Sequence, residues 1–174
     1  MQRPSGFTVL ELLVTLAVLA VLLGLGIPAF RASLERQRIS GAVFLVAAQF
    51  ATARHAAITR REVVTLCPSA GGTECDETMD WSHGWLMYGG RHRASQPEAP
   101  QAVLRRFPPP GHATLRFHSS AGRRALHFLP DGRSAGSNLR LRICLAGQLR
   151  GEVVVNNLGR VRSRRLPGWQ ACEG

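Results

Sequence analysis

The sequence contains no lysine: all 22 of its basic side chains are arginine. No Cys-x-x-Cys pair occurs, and no histidine lies at ligand spacing beside a cysteine, which argues against a structural zinc site. Gly-x-Ser-x-Gly, P-loop and His-Glu-x-x-His patterns are all missing, so the common hydrolase, nucleotide and zinc-protease chemistries have no foothold. The six histidines, His55, His83, His92, His112, His118 and His127, are scattered, and the most that spacing offers is a cross-strand His118–His127 pair. The acidic neighbours Asp76, Glu77 and Asp80 follow no calcium-loop order. These absences predict neither catalytic residues nor a cofactor nor a metal. No long internal repeat or low-complexity tract interrupts the chain.

What is present is positive charge and one apolar run. The formal net charge is +11 over 174 residues. A guanidinium-only surplus has two readings: a codon preference, or a polyanion partner whose phosphates match the planar fork. Where the arginines fall must decide between them. The four cysteines, Cys67, Cys75, Cys144 and Cys172, form an even set suited to two disulfides in a small exported domain. Their pairing is open at this point, although a Cys67–Cys75 bridge would close the polar loop from Pro68 to Asp80.

The run Phe7 to Ile27 is long enough to cross a bilayer core, which takes about 20 residues. Arg3 precedes it, which orients the N-terminus toward the cytoplasm. No Ala-x-Ala stop follows, so the segment is expected to be retained rather than removed as a secretory signal. Yet Glu11 sits inside it. A charge at the centre of a membrane helix costs about 2.5–3.5 kcal/mol on insertion scales. One reading is a carboxylate near the headgroups that suits the positive end of a helix dipole.

The residues Gly6-Phe7-Thr8-Val9-Leu10-Glu11, with Pro28 further along, resemble the processing site of type IV pilins and pseudopilins. That resemblance implies cleavage by a prepilin peptidase after Gly6, N-methylation of the new terminal Phe7, and a helix-kinking proline at Pro28. It also gives Glu11 a partner. The ammonium created on Phe7 of one subunit can pair with Glu11 of a neighbour in a dry filament core and set the axial register.

Beyond Pro28, Ile39, Val43, Val46, Phe50, Ala53 and Ala57 recur at alternating spacings of four and three, one apolar stripe on a helix. Arg31, Glu35, Arg36, Arg38 and Arg54 lie off the stripe. After Arg61 the period changes. Short runs at 62–67, 84–88, 103–107, 114–118, 125–129, 139–145 and 152–155, and one beginning at Val161, read as strands. Gly89-Gly90, Pro108 to Gly111, Asp131-Gly132 and Asn156 to Gly159 separate them as stops and turns, and 91–100 reads as a polar linker. The expected class is α+β: a long N-terminal helix, transmembrane below and amphipathic above, on an antiparallel β domain. The segments are a leader 1–6, a membrane and filament-core helix 7–28, its amphipathic continuation 29–61, and a β-rich domain 62–174.

Asp80-Trp81-Ser82-His83-Gly84-Trp85, Phe128 to Arg133, Leu141 to Cys144, Val153 to Asn156 and Gly159 to Arg162 resemble the GspH/FimT family of minor pilins and pseudopilins. With the N-terminus, the similarity spans nearly the whole chain. It implies two small packed sheets over the helix, and a Cys144–Cys172 tie between the tail and a strand, with Cys67–Cys75 as its complement.

The tail reads Gly159-Arg160-Val161-Arg162-Ser163-Arg164-Arg165. In an extended segment Arg160, Arg162 and Arg164 share one face, Val161 turns to the core, and Arg165 extends the patch. In FimT-type proteins a C-terminal Gly-Arg-x-Arg segment is linked to DNA binding during natural transformation; Gly159, Arg160 and Arg162 match it. The resemblance therefore implies a minor pilin that holds DNA without sequence preference through Arg160, Arg162, Arg164 and Arg165. A charged edge strand that guards against aggregation is the competing account of the same residues. Trp169 either stacks on a base or packs the tail, and packing is the commoner role. Expected partners are DNA, other pilins, the peptidase and the inner membrane, with a periplasmic and then cell-surface location after assembly. A type II secretion pseudopilin H, or a purely structural priming pilin, is the alternative.

Overall fold

The computed structural model describes residues 8–109, 112–168 and 170–172. It opens with one helix, α1 (Val9–Arg60). Thr8 caps it: the Glu11 amide donates to Thr8 Oγ1 at 3.2 Å, satisfying one of the free amides of the first turn. α1 continues through Gly24, Gly26 and Pro28. Arg61, with φ 55°, turns the backbone out of the helix.

The chain divides into two compact units, one ending at Arg38 and one starting at Ile39. In the first, every described side chain is exposed, and the helix is long and apolar enough there to cross a membrane. In the second, α1 buries Ile39, Ala42, Val43, Val46, Phe50, Ala53 and Ala57. This is the stripe read from the sequence, with Ala42 added.

Eight strands follow in two antiparallel sheets. The first has the order β3-β2-β1-β5, from β1 (Val63–Pro68), β2 (Trp85–Gly90), β3 (Val103–Phe107) and β5 (Leu126–Phe128). The second has the order β4-β6-β7-β8, from β4 (Leu115–Ser119), β6 (Leu139–Leu145), β7 (Gln148–Val155) and β8 (Val161–Arg165). Alternate residues of both sheets join the helix stripe in a single core: Val64 and Leu66, Leu126 and Phe128, Leu139, Leu141 and Ile143, Val153 and Val155. Trp81, Trp85, Phe50 and Phe117 fill its centre in edge-on and tilted contacts, with ring centroids 5.9–6.1 Å apart. The architecture is the expected α+β plan of one long helix and two small sheets.

Two expectations are corrected here. β7 begins at Gln148, four residues before the expected Glu152, because a bulge opposite Cys144 breaks the alternation along Arg150 and Gly151. His118 and His127 lie in different sheets, so they form no cross-strand pair. His118 bridges to Asp80, whereas His127 Nδ1 lies 2.8 Å from Thr65 Oγ1.

Candidate polyanion interface on the second sheet

β8 is an edge strand, paired only with β7, and the register fixes which way its arginines point. Val155 faces Val161, Val154 faces Arg162, Val153 faces Ser163, Glu152 faces Arg164 and Gly151 faces Arg165. Val153 and Val155 are core residues, so Arg162 and Arg164 occupy the opposite, outer face. Arg165 is on the helix side instead: its Nη1 donates to Ser40 Oγ of α1 at 3.2 Å. The expected patch therefore splits, because a strand cannot aim consecutive residues the same way. Val161 packs against the core as anticipated.

Arg160 precedes the strand and is held by its backbone. Its amide donates to Asn156 Oδ1 at 2.9 Å, its carbonyl accepts from the Asn156 amide, and the Gly159 amide donates to Asn156 O at 2.8 Å. Gly159 has φ +72°, and a Cβ there would collide with the carbonyl oxygen of Gly132. Only glycine lets the β7–β8 turn and the Asp131–Gly132 turn meet so closely. Arg54 of α1 clasps both turns, donating from Nε to Gly132 O at 2.9 Å and from Nη2 to Leu158 O at 3.4 Å. The side chains of Arg160 and Arg162 are exposed and have no hydrogen bond or ion pair among the described residues.

The outer face holds a group that the sequence pattern hides. Glu152 reads as one member of a strand, but its side chain is only 5% exposed. Arg164 Nε donates to Glu152 Oε1 at 2.6 Å, and Arg140 Nε stands 3.7 Å from Oε2. Removing a carboxylate from water costs several kcal/mol, and these two guanidiniums are what offset it. Arg142 faces Glu152 across β6–β7, and His118 stands beside Arg142 on β4. Arg140, Arg142, Arg164 and Glu152 line an open cleft of about 650 Å³, with Leu149 and the segment from Leu166 to Gly168 as further walls. Among the described residues, three guanidiniums and one carboxylate line the cleft. At the β4 end, Asp80 is held below the ordinary carboxylate range: burial opposes ionisation, but hydrogen bonds from Ser82 and nearby His118 and His83 outweigh it.

The segment after β8 continues along the same edge of β7. Leu166 N donates to Arg150 O, Leu149 N to Gln170 O, and Cys172 N to Gly147 O, at 2.7–2.9 Å. Disulfides join Cys144 to Cys172 and Cys67 to Cys75, so one pins this returning segment to β6 and the other closes the loop after β1. Gly6, Phe7 and Trp169 lie outside the described residues. Glu11, in the first turn of α1, is exposed within its unit.

A model of the family described as type II transport protein GspH matches residues 43–159, two thirds of the chain. The chain belongs to this family. As a GspH-family protein it is a minor pilin or pseudopilin of the GspH/FimT type, and the prokaryotic N-terminal methylation motif matches residues 1–27. Two crystal structures of the type IV minor pilin FimU from Pseudomonas aeruginosa share its fold. One has a TM-score of 0.61 at 19% identity, covering 77% of this chain and 96% of that one. The other, in a second crystal form, has a TM-score of 0.56 at 18% identity, covering 74% and 98%. No curated protein matches the chain. Within the GspH-family body, the residues that sequence reading did not single out are Arg54 and Glu152. An isolated arginine off the apolar stripe, and a lone acid among arginines on adjacent strands, were the only signals available.

Proposed function

We propose that this protein is a minor type IV pilin that holds DNA without sequence preference through the outer face of its second sheet, for uptake in natural transformation. The observation that carries the reading is the pair Arg160 and Arg162, exposed on an edge and unengaged among the described residues. Arg164 and Arg140 stand beside Arg162 on the same face, whereas Arg165 is turned away toward Ser40. Like charges this close contribute little to folding and find their natural complement in phosphates. No helix is presented for a groove, and contacts to phosphate carry no base information. Binding is therefore weak, salt-sensitive and indifferent to sequence.

The N-terminal reading belongs to the same proposal. Residues 1–6 are the leader, Gly6–Phe7 is the peptidase site, and Phe7 is methylated. Residues 7–28 span the inner membrane before assembly and the filament core after it, 29–61 continue the helix, and 62–174 are displayed from the periplasm outward. Glu11 pairs with the Phe7 ammonium of a neighbour; the matched methylation motif supports this assignment. A second reading, a type II secretion pseudopilin, is favoured by the family description itself.

The deciding experiment uses the purified chain in a non-ionic detergent and a fluorescent random duplex, with affinity followed by anisotropy over a salt series. Each lost phosphate contact flattens the slope of log K against log salt by about 0.9. Arg160→Gln with Arg162→Gln should flatten it by about 1.8 and weaken binding at low salt, with the fold unchanged by circular dichroism. An unaltered slope would remove the site, and no binding by the unsubstituted chain would leave the secretion and structural priming readings. Mass spectrometry of the protein from its host should show a methylated Phe7 terminus.

A further inference from the structure

Glu152 is a puzzle on a face whose role is to be positive. Were charge alone the purpose, a carboxylate at its centre would cancel part of it. Were stability the purpose, a well-packed apolar side chain would serve as well as a buried ion pair. The atoms in contact suggest a third role. Arg164 and Arg140 both approach Glu152 through Nε. A guanidinium gripped at Nε keeps its two Nη groups for another acceptor. Among the described residues, no Nη group of Arg140 or Arg164 donates a hydrogen bond. Both line the cleft of about 650 Å³, together with Arg142. Leu166, Pro167 and Gly168 wall it, and Cys144–Cys172 pins the segment that carries them.

We propose that this cleft is a phosphate seat, with Arg140 and Arg164 as its donors and Glu152 as the residue that positions them. The buried carboxylate holds Arg164 by a hydrogen bond and draws Arg140 to 3.7 Å by charge, so the two forks need less ordering when an anion arrives. The ligand class is a phosphoryl group with at least two unshared oxygens in reach of separate forks: a phosphodiester of a nucleic acid backbone, or a free phosphate. Only the first source rests on the DNA reading above.

Charge counting and positioning predict opposite signs for one substitution. Glu152→Gln adds a unit of net positive charge, so a purely electrostatic face would bind more tightly. A seat that depends on Glu152 binds about tenfold more weakly, because Gln is a poorer acceptor for the guanidiniums. The test is calorimetric titration of the full chain in non-ionic detergent with inorganic pyrophosphate, and then with random duplex. Wild-type binding of pyrophosphate, weakened about tenfold by Glu152→Gln, is the expected result. Arg140→Gln, at a half-exposed position that leaves the core alone, should weaken it likewise and covers the case in which Glu152→Gln does not fold. Pyrophosphate binding without duplex binding keeps the seat and removes the DNA reading. Equal or tighter binding by folded Glu152→Gln, or no pyrophosphate binding by the wild type, overturns the seat even if duplex is bound through Arg160 and Arg162.

Discussion

Substituting Gly159 by alanine tests whether the turn that presents Arg160 is built as described. Two costs add. A left-handed backbone with a Cβ costs about 1–2 kcal/mol, and φ here is +72°. The new methyl would also occupy the position of the Gly132 carbonyl oxygen, so the two turns must separate. Separation breaks the Arg54 Nε to Gly132 O bond, and hydrogen bonds to charged groups are worth about 1.5–3 kcal/mol. The sum is about 2.5–5 kcal/mol, among the larger effects of a single substitution. For a body of this size that lowers Tm by about 10–20 °C. Thermal and urea unfolding followed by circular dichroism would measure it. Arg54→Ala should cost about 2 kcal/mol alone and clearly less in the Gly159→Ala background, since both remove the bond to Gly132 O. A loss below 1 kcal/mol for Gly159→Ala, or full additivity with Arg54→Ala, would refute the account of the turn.

Breaking Cys144–Cys172 by paired serine substitution should cost about 3.6 kcal/mol in the chain-entropy picture, against about 2.5 kcal/mol for Cys67–Cys75, because the bridged separations are 28 and 8 residues; urea titration of the two variants should preserve that order. His127 is pushed down to about 4 by burial, with Arg123 and Arg93 adding to the effect. Its folded value lies below the unfolded one, so the unfolded chain takes up the proton first. Stability is therefore lost as pH falls from about 6.5 to about 4, by up to about 3 kcal/mol. His127→Gln should remove that component of the acid sensitivity, and an unchanged stability profile would refute its assignment to His127.

The strands were legible wherever an apolar alternation ran unbroken, as along Leu139 to Leu145, whose sequence bounds are those of β6. The helix stripe was legible for the same reason: Val46, Phe50, Ala53 and Ala57 have only one face on which to be buried. Alternation failed at Gln148 to Gly151, where a bulge and a glycine opposite the helix replace the expected pattern. The basic face was legible as a composition but not as a geometry. Arg164 and Arg165 are adjacent letters whose side chains part to opposite faces, and only the β7 register shows which is which. Glu152 was legible only as a strand residue, because its role lies in cross-strand neighbours 12 residues ahead and 12 residues behind, Arg164 and Arg140. Arg54 likewise reaches its partners across 78 residues or more, a distance at which local pattern is silent.

Every side chain that α1 gives to the core lies between Ile39 and Ala57. The core of the second unit thus takes its helix side chains from this stretch alone, while every described side chain from Val9 to Arg38 is exposed.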